Sequence, residues 1–110
     1  MELTPQLVQE ASQEKTPNKV FVVDFSKQEI SKVCLLNSFP KLKTINLSFN
    51  LIQQVSEGAF DNLKELKELN LSCNYLSKFK CRSTSLKVLE LSFNRISSLE
   101  GIHSMIVKPN

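Results

Sequence analysis

The sequence contains no tryptophan, one tyrosine, one histidine and two glycines among 110 residues. With so little glycine, turns that need unusual backbone geometry must be built from other residue types. The lone His103 rules out most hydrolytic constellations: no Ser–His–acid or Cys–His set can be assigned around it. One histidine with the scattered thiols Cys34, Cys73 and Cys81 makes a poor zinc site. No catalytic, cofactor-binding or metal-ligating residue is therefore expected, and the chain reads as non-enzymatic. No stretch approaches the ~20 apolar residues that a membrane-spanning helix requires. A dominant charge sign is lacking as well. The 14 Lys and Arg against 11 Asp and Glu leave a net charge of +3, and Lys64, Glu65, Lys67 and Glu68 mix the signs as a solvated surface does. A nucleic-acid binder concentrates positive charge far more strongly. Neither nucleic acid nor membrane is expected as a partner.

The thiols bear on the compartment. Three is an odd number with no tight pairing, which favours reduced cysteines inside a cell. Met1 to Lys15 shows no basic start followed by an apolar run. The expected location is intracellular, in the cytoplasm or nucleus. Secretion is expected only if a leader lies upstream of this segment.

What the sequence does have is internal repetition. Leu42-Lys-Thr-Ile45-Asn-Leu47-Ser-Phe-Asn50-Leu-Ile52, Leu66-Lys-Glu-Leu69-Asn-Leu71-Ser-Cys-Asn74-Tyr-Leu76 and Leu86-Lys-Val-Leu89-Glu-Leu91-Ser-Phe-Asn94-Arg-Ile96 share one pattern, L-x-x-L-x-L-x-x-N-x-L. A weaker copy precedes them, with Val20, Val23, Phe25, Gln28 and Ile30 in the same slots. The copies start at Val20, Leu42, Leu66 and Leu86, steps of 22, 24 and 20 residues.

Each slot has a physical reason. Ile45 and Leu47, two apart, point to one face of a strand while Asn46 points to the other. A short strand with one apolar face cannot stand alone, so copies stack and share a core, and each connection crosses back over the outside. The ninth slot sits at the bend out of the strand. An amide there both donates and accepts, so it satisfies backbone groups that the bend leaves unpaired. Gln28, Asn50, Asn74 and Asn94 are the expected ladder, with a looser first rung because glutamine carries an extra methylene.

With that pattern in place, the chain resembles the leucine-rich-repeat superfamily over roughly Val20 to Met105. The resemblance implies an α/β-type solenoid: a short curved parallel β-sheet of about four strands on the concave side, with loops and short helical turns on the convex side. Ile52 to Phe60 looks like the typical 24-residue repeats of receptor ectodomains. Asn94 to Ile102 looks like the 22-residue repeats of the phosphatase-1 regulatory-subunit type, which are intracellular. The cysteine-clustered caps that flank extracellular members are missing, and the chain stops soon after the fourth copy, so a fragment or splice form of a longer protein is expected.

The domain layout follows. Residues 1–18 form a polar arm or a short capping helix, with Thr4 and Pro5 as its start; 19–106 form the repeat domain; 107–110 form a frayed tail. Val33, Leu36, Phe39, Val55, Phe60, Leu63, Phe79, Cys81, Leu99, Ile102 and Met105 supply the convex core. The Lys78 to Ser85 stretch is too short and polar for a helix and reads as an extended or tight return, whereas Gly58-Ala59-Phe60 suggests a brief helical turn.

The family commonly binds protein partners on the concave face. The resemblance thus implies Lys43, Thr44, Asn46, Phe49, Lys67, Glu68, Asn70, Lys87, Glu90 and Phe93 as contact residues, with the two phenylalanines as anchors. The alternative is that Phe49 and Phe93 pack beside the amide ladder as structural residues. Lys43, Lys67 and Lys87 form a column that Glu68, Glu90 and Asp24 are expected to neutralise. Asn46-Leu-Ser48 and Asn70-Leu-Ser72 are glycosylation sequons that also fall out of the repeat itself. Four strands ~4.8 Å apart present roughly 300 Å² in projection, short of the ~800 Å² per partner of a specific interface, so further surface must contribute.

Overall fold

The computed structural model describes residues 1–12, 14, 16–100 and 106–108, the segments 98–100 and 106–108 as backbone only. The expected positions of Ile102, His103 and Met105, and the side chain of Leu99, lie outside the described residues.

The repeats stack as a parallel solenoid. Its principal sheet runs β2 (Val22–Asp24), β4 (Thr44–Asn46), β6 (Glu68–Asn70), β8 (Val88–Glu90) and β10 (Ile106–Lys108), neighbours in that order. Val23, Ile45, Leu69, Leu89 and Val107 are in register across it. The four that precede β10 are buried, as are Leu47, Leu71, Leu91, Ile30, Ile52 and Leu76 from the later slots. Period-two alternation thus puts one residue of each strand triplet into the core and leaves its two flanking residues on the outer face. The fifth strand corrects the expected tail: Val107 and Lys108 pair with Leu89 and Glu90. Three residues followed by Pro109 carry too little pattern to be read as a strand from sequence.

The return side is built from short strands as well. β1 (Glu2–Leu3), β3 (Lys32–Val33) and β5 (Gln54–Val55) form one parallel ladder, and β7 (Lys78–Lys80) with β9 (Ser98–Glu100) forms another. Between them lie turns, in place of the helical turn expected at Gly58: Ala59 N–H bonds Ser56 O at 3.0 Å and Asp61 N–H bonds Gly58 O at 3.1 Å. Gly58 sits at φ +74°, where a side chain is strained. Leu36, Phe39, Phe60, Leu63, Phe79 and Cys81 fill the core beneath these turns.

Among the described residues the α-helix is α1 (Pro5–Ser12), in the N-terminal segment. Thr4 starts it, its Oγ1 accepting from Leu7 N–H at 3.2 Å and its carbonyl from Val8 N–H at 3.1 Å. Val8 is buried and Leu7 packs against the same core. Residues 2–12 are therefore tied to the solenoid at two points, the β1–β3 pairing and the Val8 contact, and close the open end of the core.

Candidate functional site

The bend that ends each principal strand organises the surface beside it. Asn50 Oδ1 accepts from Gln28 N–H (2.9 Å) and Ile30 N–H (3.0 Å) on the preceding coil, and its Nδ2 donates to Phe25 O and Leu47 O, both at 2.9 Å. Asn74 repeats this, accepting from Ile52 N–H (3.0 Å) and donating to Leu47 O and Leu71 O (3.0 Å each). Asn94 accepts from Leu76 N–H at 3.0 Å and donates to Leu71 O at 2.8 Å. Gln28 differs: its side chain is exposed and donates at 3.2 Å to Ser26 O in its own turn.

A second set of bonds braces the same bend from the outer face. Asn46 Oδ1 accepts from Ser48 N–H (3.0 Å) and Oγ (2.7 Å); Asn70 Oδ1 does the same for Ser72, at 2.9 and 2.7 Å. Asp24 Oδ1 holds Ser26 in the same way, at 3.0 and 2.7 Å. The backbone and then the hydroxyl bond from Ser26 hold the Asp24 carboxyl below its usual pKa of 3.8, against a small opposing effect of burial. Asn46 and Asn70, placed among the contact residues from sequence, thus have their carbonyl oxygens committed to the turn. Sequence reasoning missed this, although the recurring [Asp/Asn]-x-Ser spacing carries the signal.

At this bend the eighth slot takes left-handed backbone: Lys27, Phe49, Cys73 and Phe93 have φ of 57–58°. A non-glycine residue there costs roughly 1 kcal/mol. That geometry turns the side chains outward. Phe49 is 57% exposed and Phe93 68% exposed, so neither packs beside the amide ladder. They sit two coils apart, about 10 Å at the usual strand spacing. The Lys27 ammonium lies 5.7 Å from the Phe49 ring centroid. On the other side of the ladder, slot ten adds Leu51, Tyr75 and Arg95, all exposed, with the Arg95 guanidinium 5.3 Å from the Tyr75 ring centroid. These three were also overlooked, although they fall between a ladder asparagine and a buried residue, where alternation points a side chain outward. Together the two columns make a rim of aromatic, aliphatic and cationic groups.

On the sheet face, Lys43, Lys67, Lys87 and Glu68 are exposed, while Thr44 and Glu90 are half-buried. Lys43, Lys67 and Lys87 stand in one column, each directly ahead of its strand, and Glu68 is exposed on the same face. The lysines enter the strand and Asp24 and Glu90 leave it, three residues or ~10 Å further on. Phe21 and Val22, 48% and 64% exposed, lie at the β2 edge.

The thiols are all free. Cys73 stands on the rim and Cys81 in the convex core, where burial, aided by Asp61, pushes its pKa up against a hydrogen bond at Ser83. No group of three potential metal ligands is present among the described residues. No helix there is long and apolar enough to cross a membrane.

The sequence profile for leucine-rich repeats matches residues 40–96. The chain is 42% identical over 65 residues to "Leucine-rich repeats and immunoglobulin-like domains protein 2" of Mus musculus, covering 56% of this chain and 6% of that protein. It is 35% identical over 100 residues to the protein 1 of the same description from Homo sapiens, covering 84% and 9%. It is 33% identical over 64 residues to "Probable glycoprotein hormone G-protein coupled receptor" of Anthopleura elegantissima, covering 58% and 7%. This chain thus spans less than a tenth of each of these relatives. No solved structure matches it significantly. The stacked coils, the asparagine ladder and the matched profile lead to one conclusion: the chain belongs to the leucine-rich-repeat family.

Proposed function

We propose that the chain is a non-enzymatic protein-interaction module that grips a partner along the rim and the adjoining sheet face. The observation that carries this reading is the pair Phe49 and Phe93, more than half exposed on backbone that costs energy to hold. Exposed aromatics beside cations are the composition of interface hot spots. The rim also answers the size problem, because Leu51, Tyr75 and Arg95 extend the patch beyond the sheet. The partner is a protein; neither nucleic acid nor membrane has a matching surface in this reading. The test is a cross-linking pull-down with the native chain and with Phe49→Ala/Phe93→Ala and Lys67→Ala variants. Specific partners should be lost from the double phenylalanine variant. Unchanged recovery of every partner would remove the rim from the interface.

An intracellular location is proposed on the three unpaired thiols. A second reading, part of a longer receptor ectodomain, draws on the receptor named among the relatives and on the small share of each relative that the chain covers. Mass spectrometry of the cellular protein separates the two. Glycan at Asn46 or Asn70 supports the ectodomain; three unmodified cysteines with bare asparagines support the intracellular module.

A further inference from the structure

Along the rim, adjacent coils stay bonded at each step: Leu51 N–H to Ile30 O (2.8 Å), Tyr75 N–H to Ile52 O (2.9 Å), Arg95 N–H to Leu76 O (2.9 Å). Two residues further on, the pattern breaks at one place. Gln53 N–H bonds Ser31 O at 3.2 Å and Ser97 N–H bonds Ser77 O at 2.9 Å, but the equivalent Ser77 N–H to Gln53 O bond is absent. Beyond it β5 and β7 belong to different ladders. The cause is a mismatch in arc length. The coil from Leu42 takes 24 residues and carries the Glu57–Phe60 turn, whereas the coil from Leu66 takes 20 and returns extended.

The resulting opening is a cleft of about 880 Å³ with Val55 and Phe79 among its apolar lining. That volume falls within the range of ligand sites, ~300–1,000 Å³. Its walls carry Lys32, Lys78, Lys80, Arg82 and Arg95 against Glu57 and Asp61, five cations to two acids. Both acids are engaged: Glu57 lies 3.6 Å from Lys80, and Asp61 Oδ1 accepts from Arg82 N–H at 2.9 Å. The cleft lining thus carries a surplus of three positive charges.

We propose that the cleft between β5 and β7 is a docking groove for an extended acidic peptide segment of a partner protein. Open strand edges accept an added strand through main-chain hydrogen bonds, and the flanking side chains then set specificity. Here the guest pairs with the facing edges of β5 and β7 and places its carboxylates against Lys78 and Arg82. Phe49 and Phe93 stand outside the cleft, whereas Tyr75 and Arg95 of the rim also line it, so the two phenylalanines are what separates the groove from the rim interface.

A short synthetic peptide of alternating glutamate and valine, added to the full isotope-labelled chain, tests the proposal. The expected result is saturable binding, with amide shifts centred on Gln54–Ser56 and Ser77–Lys80. K78E/R82E should weaken it at least about tenfold, added salt should weaken it too, and F49A/F93A should leave it unchanged. A proline at the peptide's centre, which removes a donor, should also weaken it. Equal binding of a lysine–valine peptide, shifts centred on Phe49 and Phe93, or indifference to K78E/R82E would overturn the groove. Equal binding of the proline peptide would overturn the strand pairing. Because F49A/F93A is an arm of the same titration, failure here is distinguishable from failure of the rim interface.

Discussion

Asn74 and Ile52 stand 22 residues apart in the chain, yet the Ile52 backbone N–H is held by the Asn74 carboxamide oxygen at 3.0 Å. The same asparagine returns its amide hydrogens to Leu47 O and Leu71 O, each of which also accepts from a neighbouring rung, Asn50 and Asn94 in turn. Asn74→Ala therefore orphans the Ile52 N–H and leaves the two carbonyls with one amide donor apiece. A buried unsatisfied group costs ~1–3 kcal/mol, so a loss of about 1–3 kcal/mol is expected in a urea unfolding curve. Gln28→Ala, at the exposed first rung, should cost less than about 0.5 kcal/mol. Equal effects at the two positions would mean that the ladder does not carry the load assigned to it.

That contrast shows what the sequence can and cannot convey. Ile45, Leu47, Asn50 and Ile52 were legible because each slot answers a local question: which face, which bend, which unpaired group. The rim was less legible. That Phe49 and Phe93 point outward goes with a φ of 57–58° at the bend, a backbone conformation that neither residue type favours by itself. The cleft was invisible, since it comes from 24- and 20-residue arcs failing to meet rather than from any residue type. β1 and β10, two and three residues long, carry too little alternation to be recognised and take their conformation from the strands they pair with.

Phe49 should be separable from stability. Replacing it by glycine relieves roughly 1 kcal/mol of left-handed strain. It forfeits ~0.5 kcal/mol of contact with Lys27 and adds ~0.5–1 kcal/mol of unfolded-state entropy. Phe49→Gly is therefore expected to change stability by less than about 1 kcal/mol, where Leu47→Ala in the core should cost ~2–5 kcal/mol. Thermal unfolding of the two variants checks this. A large loss on Phe49→Gly would make the ring part of the core and remove the reason to place it at an interface.

Asp24 gives the fold an acid-sensitive joint. Its folded pKa is depressed below 3.8 by the two bonds from Ser26. A depressed carboxyl contributes stability that is present above the unfolded pKa and lost as pH falls through the folded one. Asn46 and Asn70 make the same turn without a titrating group. Asp24→Asn is thus expected to keep the turn and flatten the decline in melting temperature between about pH 5 and about pH 2. An unchanged acid limb would assign that decline to other carboxylates.

The three thiols should report the architecture by their rates. Cys34 and Cys73 are half-buried, whereas Cys81 lies in the convex core with a raised pKa. A thiol is attacked as thiolate, so burial slows Cys81 twice, by denying access and by holding the proton. Two modifications are expected promptly under alkylation of the native chain, and a third only at the rate of local or global opening, accelerated by denaturant. The linked stability is present below the unfolded thiol pKa and is lost as pH rises through the folded one, so alkaline solution should speed the third event more than a freely exposed thiol would require. Peptide mapping of partly alkylated protein identifies the slow site. Simultaneous reaction at all three cysteines would mean that the short return from Lys78 to Ser85 does not cover the core as the structure draws it.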